Sequence, residues 1–368
     1  MLLTISAFFL IVYAVVVFLV ARYQPQPVGK DREASDSEEL PSVSVLVPFR
    51  NERLQLPELL ANLSCITYAG PHEFLLIDDH SEDNPLEVIQ LHRFSTLRYL
   101  PPLKGVEGKK QNLQRGVSEA KGEIILTTDA DCSPDRRWIE SVVKNFDSNQ
   151  VQMVLGPVRI QATEYFGRLQ AMEFLSVMAI TRFSSKLNHP LMANGANLAY
   201  RKKAFFEVQG YAGNEHFSSG DDEFLLRKFR QHFPNGIRFA EEIGAVVETF
   251  AVQSLHEFLN QRIRWAGKWR HNRDPLAFFA AVWIFSIQVI TLGLAVSCLL
   301  SLAVVHSSLL IKFFADGYFL KKESGRQHAA FRLRYFFVVG LLYPFYVIVV
   351  ALFSFWVKPN WKGRKVSS

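Results

Sequence analysis

The chain has 368 residues, 49% of them hydrophobic and 13% aromatic, and a formal net charge of +6. That length holds one large or two ordinary domains, and apolar content this high and unevenly spread excludes a wholly water-soluble protein. The basic residues cluster beside apolar tracts, as with Arg262, Arg264, Lys268, Arg270 and Arg273, which suits anionic lipid headgroups and implies no nucleic-acid partner.

Residues 1–22 are expected to form a transmembrane helix, because Leu2–Val20 carries no charge and can cross a ~30 Å hydrocarbon core. A cleaved signal peptide would carry a basic leading region, and Ala21-Arg22 is a poor cleavage context. Arg22 and Lys30 follow the span, so charge bias puts the aqueous part in the cytoplasm, with a bacterial inner membrane as the expected setting. Cys65, Cys132 and Cys298 are scattered without metal-ligand spacing, which fits a reducing compartment and not a disulfide framework. Residues 23–40 form a polar, mostly acidic linker.

From residue 41 the sequence alternates. Strands are expected at 42–49, 72–83, 97–100, 123–131 and 151–158, and helices at 56–66, 84–94, 109–120 and 136–146. The alternation predicts a mainly parallel, doubly wound α/β sheet with helices on both faces. In such sheets ligands bind beyond the carboxyl ends of the strands. There the polar residues gather: Pro48 to Glu52, Asp78-Asp79, and Asp129 to Asp131. No G-x-G-x-x-G, Walker A or G-x-S-x-G motif is present, so dinucleotide, P-loop and serine-hydrolase chemistry have no support. His80, His189, His216, His232 and His256 have no ligand spacing for zinc.

In an extended segment, Asp129 and Asp131 point to one side. Their repulsion is resolved by a hard cation, and Mg²⁺ or Mn²⁺ takes one or two carboxylates together with substrate phosphates. Nucleotide-sugar chemistry needs such a site, although the same pair read alone also suits a loop turn. Asp78 or Asp79 can accept hydrogen bonds from a base or ribose, and either can instead cap the following helix. Lys109, after a glycine loop, can meet a phosphate or a base, or simply stay in solvent. In Gly220-Asp221-Asp222-Glu223, Asp222 is the candidate general base for an acceptor hydroxyl; the alternative is that these acids offset a helix dipole.

Residues 253–274 read as an amphipathic interfacial helix. Gln261, Arg264 and Trp265 fall on neighbouring helical positions, where Arg can fork onto a diphosphate and Trp can stack on a sugar. Membrane-interface anchoring is the other reading for Trp265 and Trp269. Residues 275–357 form a C-terminal transmembrane region of three expected spans, near 276–296, 298–316 and 335–356. The first two could instead be one long span plus an interfacial helix. A basic tail follows at 358–368.

Together "VSVLVPFRNE", "LLIDDHSED", "GKKQNLQRG", "TTDADC", "GDDEFLL" and "QRIRW" resemble the family 2 glycosyltransferases of GT-A fold. They are most similar to the membrane-embedded branch with cellulose, hyaluronan and poly-N-acetylglucosamine synthases and ceramide glucosyltransferases. The resemblance spans roughly 42–270 and implies a Rossmann-like, doubly wound mixed sheet at 41–252. It also implies inverting transfer from a nucleotide-sugar donor, usually a UDP-sugar, to a lipid or glycan acceptor, assisted by Mg²⁺ or Mn²⁺.

Carried over by position, Pro48, Arg50, Glu52, Asp78, Asp79, Lys109 and Asp129 bind the donor, and Asp131 the metal. Asp222 is the base. Asp221, Gln261, Arg264 and Trp265 meet acceptor and diphosphate, with Asp221 standing where Glu is commoner. Two alternatives remain: a polyprenyl-phosphate sugar transferase, against which Gln261 to Trp265 argues, and a non-catalytic nucleotide-sugar-binding membrane subunit, which would be expected to lose some of these acids.

Overall fold

The computed structural model describes residues 2–23, 39–213, 220–268, 274–297 and 303–357, with the short pieces 360–361 and 364–365. Most of the expected linker and tail, and His216, Trp269, Arg270, Arg273 and Cys298, lie outside the described residues.

Helix α1 (Leu2–Arg22) precedes β1 (Val43–Phe49), α2 (Leu56–Ser64), β2 (His72–Asp78), α3 (Pro85–Leu91), β3 (Leu97–Leu100), α4 (Lys109–Glu119) and β4 (Ile124–Thr127). These are the expected elements with trimmed ends, most of all β2, expected over 72–83, which stops at Asp78, whose carboxylate turns back to Ser81. Strand β1 is buried at every position, as a β-branched apolar run covered on both faces must be. Proline in the first turn starts α2 and α3, where its missing N–H costs nothing.

The chain continues through β5 (Cys132–Pro134), α5 (Trp138–Val143), β6 (Met153–Leu155), β7 (Val158–Gln161), α6 (Tyr165–Lys186), β8 (Leu198–Arg201) and α7 (Lys202–Glu207). Then come α8 (Asp221–His232), β9 (Ile237–Phe239), β10 (Val247–Phe250) and α9 (Leu255–Lys268). The main sheet runs β3-β2-β1-β4-β8-β6-β9. Its first four strands are parallel, but β8 is antiparallel to both β4 and β6. The sheet is therefore mixed, and less parallel than the alternation alone implied.

Two expected strands are broken. The run 151–158 divides at Gly156-Pro157 between the main sheet and a second sheet, β5-β10-β7. Pro157 has no N–H to give a ladder. Gly156 lies against Asn197, whose side-chain carbon would sit 2.1 Å from an added Cβ. Buried Asn197 holds this junction: its amide donates to the Pro157 and Ala245 carbonyls, at 2.8 Å each, and accepts from the Trp138 indole at 3.0 Å. The run 123–131 ends as a strand at Thr127, where Oγ1 donates to the Gly195 carbonyl at 2.9 Å. The backbone then turns, with Cys132 N–H donating to Asp129 O at 3.2 Å, and enters β5. Asp129-Ala130-Asp131 thus occupies a turn and not an extended strand.

The apolar run after residue 274 forms three helices, α10 (Pro275–Ser297), α11 (Ala303–Arg326) and α12 (Leu333–Phe353). With α1 they make four helices long and apolar enough to cross a membrane. Helix α11 continues past the expected end at 316. Leu10 of α1 packs with Ile287, Leu294 and Val305. Met172 and Leu175 of α6 pack on Leu320, Tyr335 and Phe336, which joins the sheet domain to the membrane helices. Arg326 donates to the Ala21 carbonyl at 3.0 Å, and Tyr23 meets Phe183 edge to face. The ends of α1, α6 and α11 therefore share one level.

Candidate functional site

One cleft of about 740 Å³ opens at the carboxyl ends of β1, β2 and β4. Of the residues expected in the site, Pro48, Arg50, Glu52, Asp79, Lys109, Asp129, Asp131, Asp221, Asp222, Gln261, Arg264 and Trp265 all line it. Asp78 does not. Its carboxylate accepts from Ser81 N–H at 2.8 Å and from the Tyr99 hydroxyl at 2.9 Å, so it shapes the β2–α3 turn. Asp79 accepts from Gly108 N–H and from the Asn112 amide, at 2.9 and 3.0 Å. That ties the end of β2 to the start of α4, from which Lys109 projects. Arg50 donates to the Asp79 carbonyl at 2.9 Å and pairs with exposed Glu82.

The repulsion between neighbouring acids is offset by lysine. Lys109 Nζ lies 2.5 Å from Asp129 Oδ1 and 3.7 Å from Asp221 Oδ2. Burial alone would lower the ammonium's pKa, but Asp129, Asp221 and Asp222 outweigh it and keep Lys109 charged. Gly195 packs where a side chain would crowd this group: an added Cβ would be 3.1 Å from Asp221 Oδ2 and 3.3 Å from Lys109 Nζ. Asp131 faces the cleft mouth and is exposed. Buried Cys132 places its sulfur 3.7 Å from Asp131 Oδ1. Its thiol is pushed up by burial and by both aspartates, so it stays protonated.

Asp222 opens α8 behind Gly220, whose φ of 84° suits glycine. Its carboxylate accepts from Gly195 N–H at 3.2 Å and Glu223 N–H at 2.8 Å, and pairs with Lys268 at 3.1 Å. Burial pushes Asp222 up, yet Lys268 and Lys109 overcome it and hold the carboxyl below the ordinary range. Neighbouring Glu223 is buried beside Asp222 with weaker compensation, and is raised to about 7.

Helix α9 closes the cleft opposite the strand ends. Gln261, Arg264, Trp265 and Lys268 share one face of it, at helical spacing. Arg264 is lowered by burial, against the pull of Asp129, Asp221 and Asp222. Behind this face Arg262 forms a buried pair with Glu173 of α6, with Nη2 2.6 Å from Oε2. Its guanidinium lies 4.3 Å from the Trp265 ring centroid and 4.6 Å from that of Phe258. Trp265 is thus held from behind by a cation and by Phe174. The Tyr346 hydroxyl of α12 donates to Glu173 at 2.9 Å, connecting this support to a membrane helix.

The sequence places Lys268 only in a lipid-facing cluster, offers Glu223 only among the acids that offset a helix dipole, and assigns no part to Gly195 or α6. Lys268 was legible from its position one turn beyond Arg264 on the face already singled out. Gln170, Phe174, Val177, Met178 and Thr181 of α6 also line the cleft. Among the described residues no group of three His, Cys, Asp or Glu side chains could hold a metal ion by itself.

Residues 44–208 match the family described as Glycosyl transferase family 2. The poly-beta-1,6-N-acetyl-D-glucosamine synthase of Staphylococcus aureus is 24% identical over 232 residues, covering 62% of this chain and 55% of that protein. The chain therefore spans little more than half the length of that relative. The glycosyltransferase AglE of Haloferax volcanii is 26% identical over 261 residues, 67% of this chain and 80% of that protein. A mannosyltransferase from Pyrobaculum calidifontis, solved with GDP-Man and Mn²⁺, superposes with a TM-score of 0.52 at 18% identity. That superposition covers 96% of this chain and 99% of the other, and the likeness is one of fold, GT-A.

Proposed function

We propose, from the premise that this chain carries a family 2 glycosyl transferase domain on a GT-A sheet, that it moves a sugar with inversion from a nucleotide-sugar donor, a UDP-sugar, to a lipid-linked or polysaccharide acceptor at a membrane surface. The observation that carries the reading is the meeting of strand-end acids, Lys109 and the α9 face in one cleft whose far wall, α6, rests on membrane helices.

In this reading Pro48, Arg50, Glu52 and Asp79 bound the nucleotide pocket. Lys109 and Asp129 meet the nucleotide, and Arg264 binds the diphosphate through its forked donors. Asp222 takes the proton of the acceptor hydroxyl. Asp221, Gln261 and Trp265 orient acceptor and leaving group. Exposed Asp131, with Asp129 beside it, supplies the one or two carboxylates that Mg²⁺ or Mn²⁺ takes when the remaining ligands are phosphates and water. Held there, a divalent cation would supply positive charge to the diphosphate, with Asp131 and Asp129 as its protein ligands.

The shared level of the α1 and α11 ends puts Arg22, Lys321, Lys322, Arg332 and Arg334 on the side of the sheet domain. Charge bias makes that side cytoplasmic. The decisive experiment incubates membranes holding the full chain with radiolabelled UDP- and GDP-sugars and separates products by lipid extraction. Asp222→Asn and Asp131→Asn should each abolish transfer, and full activity in either would remove the role assigned to it.

A further inference from the structure

At the seam between sheet domain and membrane, several arginines meet carboxylates. Arg159 pairs with Glu248, Arg182 with Glu241 and Glu323, and Arg326 with Glu323. Two do not. Arg168, in the first turn of α6, places Nη1 3.0 Å from the Tyr335 hydroxyl. Arg334, in the first turn of α12, places Nη2 2.8 Å from the same oxygen. Both guanidiniums also lie over the Tyr335 ring, with Cζ 5.9 and 4.6 Å from its centroid. Among the described residues neither meets a carboxylate within 4.0 Å.

The geometry is unfavourable as it stands. Two guanidiniums converge on one hydroxyl oxygen, and a neutral phenol offers lone pairs but no charge to offset their repulsion. The groups come from different units, one from the sheet domain and one from a membrane helix. Arg332, exposed beside them, precedes the positive end of the α12 dipole. Arg332 and Arg334 mark the aqueous end of this span, and the apolar run begins at Phe336, so the pair sits where headgroups lie.

We infer that Arg168, Arg334 and the Tyr335 hydroxyl form a binding site for a phosphate group at the membrane surface, supplied by an anionic phospholipid headgroup. Two guanidinium forks match phosphate oxygens, and the phenol holds the forks apart while donating its own proton to the anion. A bound headgroup would then fasten α6, the acceptor-side wall of the cleft, to α12. The site is separate from the transfer cleft and needs no particular donor or acceptor.

The test uses the purified full chain, titrated with phosphatidylcholine vesicles with and without phosphatidylglycerol, and separately with inorganic phosphate. Readouts are vesicle co-sedimentation and thermal unfolding. Phosphatidylglycerol should raise the unfolding temperature where phosphatidylcholine does not. Arg168→Gln with Arg334→Gln should weaken the apparent affinity by about fivefold per arginine removed. Tyr335→Phe guards against gross misfolding and should retain part of the response. Lys321→Gln with Lys322→Gln removes equal charge nearby and should leave most of it. An equal loss in the lysine variant would overturn the site in favour of diffuse surface charge. A full stabilising response to inorganic phosphate alone would overturn the headgroup as its source, and an unchanged response in the arginine variant would overturn the site altogether.

Discussion

Lys268 Nζ lies 3.1 Å from Asp222 Oδ1, and both side chains are mostly buried. The candidate base is therefore held ionised by a residue on the helix that closes the cleft. Asp222 is coupled to donor binding if Lys268 responds to the diphosphate that Arg264, one turn earlier, is assigned to bind. Because the carboxyl lies below its ordinary range, the acid limb of kcat/KM should fall below the usual carboxylate region. Lys268→Met leaves burial as the dominant influence, so the limb should move up by roughly 1–2 pH units, while Lys268→Arg should restore it. A pH–rate profile of the three proteins decides the matter. An unmoved limb in Lys268→Met would reduce Lys268 to packing.

Glu223 gives the opposite sign. Burial and the Asp222 charge raise it from 4.5 to about 7, so the folded state binds a proton there that the unfolded chain releases near 4.5. The stability this proton confers is fully present below that lower value and is lost as pH rises through about 7. Between those limits each pH unit removes up to ~1.4 kcal/mol. Glu223→Gln mimics the protonated form and should flatten the fall. Thermal unfolding of both proteins across this window is the measurement, and parallel curves would assign the pH dependence elsewhere.

Most of the strand-end half of the cleft is legible in the sequence because its signals are local. A buried β-branched run ending in polar residues, as at Val43–Phe49, has few readings besides a strand end. The DxD turn was misplaced because alternating carboxylates in an extended chain and in a turn share one sequence; the Thr127 bond to Gly195 decides between them, over 68 positions of separation. The second sheet was hidden because its strands run only three or four residues. Helix α6 was hidden for another reason. Its buried face carries Gln170, Glu173 and Arg182, which blur the apolar periodicity and are paired only by distant partners. The cleft wall proposed to face the acceptor is built from that helix, so that half of the proposed site is the least readable in the sequence.

The Arg262–Glu173 pair is a fold contact with a functional consequence. Removing one partner of a buried pair strands the other charge, at a cost of ~3–5 kcal/mol. Arg262→Ala should lower the unfolding temperature and release Trp265, so that KM for acceptor rises even where folded protein is recovered. Arg262→Met with Glu173→Leu removes both charges and should regain much of the stability without regaining the Trp265 support. Double-variant unfolding beside acceptor kinetics separates the two effects. Recovery of normal acceptor KM in the double variant would show that the cation is not what holds the indole.

Asp129 and Asp131 should fail differently. Asp129 is bound to Lys109 at 2.5 Å, whereas Asp131 is exposed at the cleft mouth. Calorimetric titration with UDP, with and without Mn²⁺, reads the distinction without requiring turnover. In the natural protein Mn²⁺ should tighten UDP binding. Asp131→Asn should erase that gain while leaving metal-free affinity near its starting value. Asp129→Asn removes the partner that fixes Lys109, so metal-free affinity should change as well, by a few-fold, as the ammonium is redistributed toward Asp221. Chelation should return the natural protein to the Asp131→Asn value. If Asp131→Asn keeps its Mn²⁺ response and Asp129→Asn loses it, the metal belongs to Asp129 and the two roles must be exchanged.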